Sequence, residues 1–410
     1  MITLPKEGTA WPELRERLRE AGRRDIDWRG GRLPMFIHYA GDDVLEVAKQ
    51  AYLMYFSENG LGLRVFDSLR RFETEVVSMG LGLMHGTADA RGTMTTGGTE
   101  SIFLAVKAAR DAFRKKRPDC AEPVLVLPRS AHPAFDKAAH FMSLRTVRVP
   151  LRADYTADPE AMAAAITPDT MMMVGSVPAY PHGVIDPIAE LGAKALAHDV
   201  WLHVDACVGG YLAPFVAQLG EPLPAWDFAV PGVRSISADL HKYGYAAKGA
   251  STVFFRDAES FAGTGWHFDN WPRGAYFTNT LVGTRAGGAI AAAWAVMNYL
   301  GEEGYRRVAQ RVIHTRQVLQ EGVAELGLKT FGDPRLSILA FGSPQRDIAA
   351  LGKGLSERGW VVGYVTEPPG IHHMLNLTHE PVAERYLSDV ADVLRELPVR
   401  GGGGAVDARY

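Results

Sequence analysis

The sequence predicts an α/β protein: a mainly parallel sheet with helices on both faces, followed by a smaller α+β domain. Three observations predict it. The middle of the chain alternates short β-rich runs with helical stretches, the order of strand–helix–strand crossovers. One of those runs, Val124–Pro128 (VLVLP), is apolar throughout, as a strand covered on both faces should be. The last third opens with long Ala-rich helical stretches and continues with short, well-separated strand candidates.

The elements follow in order. Residues 1–57 read as an N-terminal segment with helices over Pro12–Ala21 and Asp43–Phe56. Residues 58–285 read as the large domain. A helical run, SIFLAVKAARDAF, follows a glycine pair; then come strand Val124–Pro128, amphipathic helix Pro133–Ser143 and strand Arg145–Leu151. Helix Asp158–Ile166, strand Met171–Val177, helix Ile185–His198 and strand Val200–Ala206 continue the alternation. Residues 286–400 read as the small domain, with helices Gly287–Leu300 and Glu302–Leu326. Its strands are expected at Leu336–Phe341, Val361–Val365 and His373–Leu377, with a helix between the first two and another over Pro381–Leu397. GGGG at 401–404, followed by AVDARY, reads as a flexible tail.

Composition narrows the function classes. The 410 residues are 47% hydrophobic and 22% charged, a globular balance with ample apolar surface for a core. A formal net charge of −3 gives no general attraction to nucleic acid or anionic membrane, so neither is an expected partner. No apolar run is long enough to span a bilayer, and the charged start MITLPKEGTAWPELRERLRE lacks a signal-peptide core. Two cysteines, Cys120 and Cys207, allow one disulfide and no disulfide framework, so a reducing cytoplasm is the expected home.

The chemistry concentrates in four places. SADLHKYGYAAKG over 237–249 sets Lys242 between His241 and Tyr243 in a small, otherwise apolar run. A lysine that attacks an aldehyde, as on pyridoxal phosphate, must be neutral part of the time. The fold is therefore expected to lower its pKa by burial or by cations such as nearby Lys248. The plainer reading is a pair of surface lysines on a loop. Gly97-Gly98-Thr99-Glu100-Ser101 leads into a helix, so its backbone N–H groups and the Thr99 hydroxyl form an anion cup, or an ordinary helix cap. Asp205 ends a strand in HVDACVGG, where a carboxylate can pair with a protonated ring nitrogen or cap the next turn. His132, in PRSAHPAFDKAA, also follows a strand, where an imidazole can stack on a flat cofactor or simply begin a helix. Gly60-Leu61-Gly62 and Gly80-Leu81-Gly82 lack the spacing of a dinucleotide loop. His372 and His373 are adjacent and face opposite ways in a strand, which disfavours chelation; no metal is expected.

With these motifs in hand, the chain resembles the fold-type I pyridoxal-phosphate enzymes of the group II decarboxylase kind, and most closely the sphingosine-1-phosphate lyases. The resemblance runs from about Tyr39 to about Arg395. It is carried by YAGDD (39–43), TTGGTES (95–101), SAHPAFDKAA (130–139), HVDACVGG (203–210), SADLHKYGYAAKG (237–249), GTRAGG (283–288) and LSILAFGS (336–343). It implies the fold-type I architecture and pyridoxal 5′-phosphate as cofactor. By residue, it implies Lys242 as the Schiff-base lysine, His241, Gly98 and Thr99 at the cofactor phosphate, His132 stacked on the ring and Asp205 on the ring nitrogen. Thr278, in YFTNT, matches a hydroxyl given to the phosphate by a second subunit, which implies a homodimer with composite sites. Lys248 and Tyr39 match positions near the substrate, Lys248 as a candidate proton shuttle.

One departure stands out. The lyases carry Asn-Pro-Leu-His-Pro-Asp where this chain has Asn59-Gly60-Leu61-Gly62-Leu63-Arg64. Asn59 and Leu61 are kept, but the histidine position falls on Gly62, so phosphate recognition shifts to Arg64 or the substrate carries no phosphate. His372 is a further candidate for the substrate side. The expected activity is retro-aldol cleavage of an amino alcohol, phosphorylated or not, to an aldehyde and an amine. The rivals are an L-amino-acid decarboxylase and a non-catalytic binding or regulatory protein of the same fold.

Overall fold

The computed structural model describes residues 1–399, 406 and 408; the rest of the expected tail lies outside the described residues. Seven strands form the main sheet: β1 (Arg91–Thr95), β2 (Val124–Pro128), β3 (Arg145–Val149), β4 (Thr170–Ser176), β5 (Trp201–Asp205), β6 (Val233–Ala238) and β7 (Ser251–Phe255). Their spatial order is β1-β7-β6-β5-β4-β2-β3. β7 runs antiparallel to both its neighbours, while every ladder from β6 across to β3 is parallel. The expected mainly parallel sheet is therefore present with one reversed member.

Burial explains what was visible in the sequence. β2, β4, β5 and β7 are buried at every position, which requires nearly continuous apolar runs. β6 reads VRSISA and escapes that rule. Its Ser235 and Ser237 are fully buried, yet alternating serines look like a solvent face. The sequence reading did not locate β6, nor β1, β7 and the helix Asp67–Leu83.

The helix Gly98–Lys116 follows β1 directly and buries Ile102, Phe103, Leu104 and Val106. Its last turn carries Arg114, Lys115 and Lys116, which suits the negative end of the helix dipole. A short hairpin, β8 (Trp266–Phe268) and β9 (Tyr276–Thr278), projects beyond β7. The two helices expected on either side of residue 301 form one helical stretch, Gly287–Glu325, bent at Gly301. That residue has φ 54° and ψ −177°, a conformation open essentially to glycine.

The small sheet comprises β10 (Lys329–Thr330), β11 (Ile338–Gly342), β12 (Gly363–Thr366) and β13 (Pro369–Met374), in the order β10-β11-β13-β12. All of its ladders are antiparallel. Its last strand lies a few residues before the expected His373–Leu377, because the chain turns away after Met374. Asn376 there spends its side-chain amide on the Ile37 carbonyl (2.9 Å). Helix Ile348–Glu357, helix Ala383–Glu396 and the end of the long helix cover this sheet around Leu339, Phe341, Leu351 and Val390.

Candidate active site

The loops that leave the carboxyl ends of β1, β2, β4, β5 and β6 converge on one cavity of about 440 Å³. This is the edge where parallel sheets place ligands. Gly97, Gly98 and Thr99 come from the loop after β1, His132 from the loop after β2, and Tyr180 from the loop after β4. Asp205 ends β5, with Cys207 just beyond it, and Asp239, His241 and Lys242 follow β6.

The glycine-rich loop is rigidly braced. Glu100 Oε2 accepts from Thr96 N (2.7 Å) and Thr96 Oγ1 (2.5 Å), and Glu100 Oε1 accepts from Leu281 N (2.8 Å). Gly98 is fixed by close packing. A Cβ there would sit 2.7 Å from Cys207 Sγ and 2.9 Å from both carboxylate oxygens of Asp239. His132 Nδ1 accepts from Ala134 N (3.1 Å), which orients the ring. Burial keeps this imidazole below its ordinary pKa and so neutral near pH 7.

Lys242 corrects one expectation. Its Nζ lies 2.9 Å from Asp239 Oδ2. Burial alone would lower its pKa, but Asp239, with Cys207 and Asp205 behind it, outweighs burial and holds the ammonium above its ordinary value. The expected lowering by burial and Lys248 fails because the nearest charge is a carboxylate. Asp239 is buried, and Ser251 Oγ donates to its Oδ1 (2.5 Å). Burial works against its charge, while Lys242 and His241 favour it and leave its pKa below the usual carboxylate value. His241 donates Nδ1–H to Ala250 O (2.7 Å), which leaves Nε2 facing Asp239. Cys207 is buried, and burial pushes its thiol up, which disfavours the reactive thiolate.

Of the residues singled out from sequence, Gly98, Thr99, His132, Asp205, His241 and Lys242 share this cavity. The others lie elsewhere on the chain. Lys248 is outside the cavity lining and donates to His241 O (3.1 Å); burial and then Lys242 lower its pKa. The Tyr39 hydroxyl is engaged by Asp42 and Arg29. Asn59 Oδ1 accepts from Leu61 N and Gly62 N (both 3.1 Å) and so shapes its own turn. Arg64 is exposed. Thr278 Oγ1 bonds Thr280 Oγ1 (2.9 Å) in the loop that Glu100 holds. His372 lies behind Tyr180, with Nε2 on the Tyr180 carbonyl (2.9 Å), and faces a neighbouring cavity of about 500 Å³ instead.

Two groups near the lysine were missed. Asp239 stands three residues before Lys242, but no motif distinguished it from a loop aspartate. His38 precedes Tyr39; both its ring nitrogens are sealed from solvent without a hydrogen-bond partner among the described residues. Burial and then Lys248 and Lys242 push its pKa well down. Both of the described cysteines are free thiols.

Comparison with known proteins shows the family. A family model described as pyridoxal-dependent decarboxylase conserved domain matches residues 72–331. The chain is 39% identical over 404 residues to sphingosine-1-phosphate lyase 1 of Mus musculus, covering 96% of this chain and 70% of that protein. It is 38% identical to the sphingosine-1-phosphate lyase of Arabidopsis thaliana, covering 97% of this chain and 75% of that one. The solved structure of the Burkholderia pseudomallei sphingosine-1-phosphate lyase superposes with a TM-score of 0.93 at 36% identity, covering 96% of this chain and 93% of that one. The donor set suits the cofactor these relatives imply: a cavity lysine, a strand-end carboxylate, an oriented neutral imidazole and a glycine cup at a helix start. Fold and site together define a pyridoxal-phosphate-dependent enzyme of the aldehyde-lyase kind. The chain belongs to the sphingosine-1-phosphate lyase family, within the pyridoxal-dependent decarboxylases.

Proposed function

We propose that this protein cleaves a sphingoid-base phosphate between its amine-bearing and hydroxyl-bearing carbons, giving a long-chain aldehyde and a phosphorylated amine. The carrying observation is Lys242, set with Asp205, His132 and the Gly97–Gly98 cup in one cavity at the sheet's carboxyl edge. The family's named activity supports the same reading. Bound there, pyridoxal phosphate supplies an electron-accepting ring. Lys242 Nζ would hold its aldehyde carbon, Asp205 its ring nitrogen and His132 its face. Backbone N–H groups at Gly98, with Thr99 and His241, would hold its phosphate.

Lys242 must first lose its proton, against the pull of Asp239 Oδ2 at 2.9 Å, which favours the ammonium. Lys248 Nζ, held on the His241 carbonyl with a lowered pKa, is the candidate to take the substrate hydroxyl proton. Substrate phosphate would fall to Arg64, because Gly62 supplies no side chain.

Thr278 serves the site of a second copy, Tyr39 stands near the substrate, and the enzyme is a homodimer. Supporting this, Phe56, Leu61, Val65, Phe277 and Leu281 are large apolar side chains left exposed. Leu61 Cδ2 lies 3.9 Å from where a Cβ on Gly283 would be, so the two segments join into one face. No helix among the described residues is long and apolar enough to cross a membrane. The two free thiols fit a cytoplasmic enzyme.

Holoenzyme incubated with a sphingoid-base phosphate should release aldehyde and phosphorylated amine in equal amounts. Carbon dioxide from L-amino acids, with no aldehyde, would instead establish the decarboxylase reading.

A further inference from the structure

A chain of buried polar side chains runs behind Asp205. Trp201, His203 and Asp205 alternate along β5 and therefore share one face of the sheet. Ser235 and Ser237 lie beside His203 and Asp205 on the parallel neighbour β6. Trp201 Nε1 donates to Ser235 Oγ (2.8 Å). His203 Nδ1 meets Ser235 Oγ at 2.8 Å, and His203 Nε2 meets Ser237 Oγ at 3.2 Å. Ser237 Oγ donates to Asp205 Oδ1 (3.3 Å), which also accepts from Cys207 N (3.1 Å). Both serines and the histidine are fully buried.

The ends of this chain fix its direction. An indole N–H only donates and a carboxylate only accepts. With the proton on His203 Nε2, every hydrogen is used: Trp201 to Ser235, Ser235 to Nδ1, Nε2–H to Ser237, and Ser237 to Asp205. With the proton on Nδ1, the Ser235 hydrogen loses its imidazole acceptor and the Ser237 hydrogen turns toward Nε2 and away from Asp205. Leaving buried donors unpaired is costly, so the first arrangement prevails.

We propose that His203 is a positioning residue whose Nε2–H tautomer, set by Ser235, aligns the hydrogens of this relay toward Asp205 and keeps that carboxylate ionised opposite the cofactor's ring nitrogen. The proposal rests on the assignment of Asp205 to that nitrogen. A buried carboxylate and a pyridine nitrogen share one proton, and burial favours the uncharged arrangement. Donors aimed at the carboxylate favour the charged one, with the proton on nitrogen, where the ring is the better electron acceptor.

The test uses holoenzyme reconstituted with pyridoxal phosphate carrying ¹⁵N in the ring, whose NMR shift reports protonation of that nitrogen. Ser237→Ala and His203→Leu should move the shift toward the unprotonated limit. His203→Gln, whose amide N–H can stand in for Nε2–H, should keep it near the wild-type value. Ring-¹⁵N histidine labelling of the unaltered enzyme, assigned by the signal lost in His203→Gln, should show His203 protonated on Nε2. An Nδ1-protonated His203 in the unaltered enzyme overturns the proposal. So does an unmoved cofactor shift in both Ser237→Ala and His203→Leu when Asp205→Asn does move it. If Asp205→Asn leaves the shift unmoved, the assignment of Asp205 itself fails, and the relay has no target.

Discussion

Lys242 and Asp239 form an ion pair at 2.9 Å, with the carboxylate buried and the lysine side chain 23% exposed. Two consequences follow for substitution at Lys242. Lys242→Ala should abolish turnover and leave no cofactor fixed by borohydride. It should also strand Asp239 in a buried site, at a cost near the lower end of the roughly 3–5 kcal/mol seen when a buried pair is broken. Pairing it with Asp239→Asn should recover much of that loss. Urea unfolding of the single and double variants checks this, and equal midpoints would refute a stabilising pair. On this prediction Lys242 has a structural role beside its proposed chemical one, and the string around it does not reveal that role. Lys242 itself was legible because HKYGYA-x-KG is a specific string. Asp239 was not, because its importance lies in facing Gly98 and Lys242 across a loop.

At the scale of elements, Glu100 joins two segments. One carboxylate oxygen holds the turn before the glycine cup, and the other holds the backbone at Leu281 and Val282 beyond β9. Glu100 is 5% exposed, and its replacement removes the charged acceptor of three backbone N–H groups, those of Thr96, Leu281 and Val282. Glu100→Ala should cost about 2–4 kcal/mol and loosen the cup. Dialysis of the holoenzyme should then release cofactor at least about tenfold faster, the factor that 1.4 kcal/mol corresponds to. The bend at Gly301 is a second element-scale device. Nothing lies within 4 Å of a Cβ built there, so Gly301→Ala tests backbone strain alone. It should lower stability by about 1–3 kcal/mol and leave the cofactor spectrum unchanged. A denaturation midpoint equal to wild type would refute the strain.

For the whole molecule, buried histidines set the response to acid. Burial lowers His203 and His372 from 6.5 to about 4, and pushes His38 and His373 well below their ordinary value. The unfolded chain takes up protons below its ordinary histidine pKa while the folded chain does not. Folded-state stability from these groups is therefore full above about pH 6.5 and lost as pH falls toward 4, by about 3 kcal/mol each for His203 and His372. Asp186, pushed up to about 7 by burial, has the opposite sign over much of the same window. Two backbone N–H groups, from Ser176 (2.7 Å) and Ala157 (2.8 Å), reduce its effect by favouring the carboxylate. The histidines outnumber it, so net stability should fall on acidification. Urea titrations between pH 7 and about 4.5 check the slope, and His372→Gln should flatten it by about 1.4 kcal/mol per pH unit. A stability that rises on acidification would refute this assignment.

Sequence alone determined the class of fold, the lysine, the glycine cup and the carboxylate at the end of β5. Apolar runs mark strands buried on both faces, and a nucleophile's neighbours in the chain form a recognisable string. Tertiary structure decided which charge governs Lys242, which candidates share its cavity, and that Ser235 and Ser237 are buried partners of His203. Those facts depend on loops from five strands meeting at one edge, and on a hydroxyl's cost of burial being offset by a bond to a neighbouring strand. Spacing along the chain carries neither.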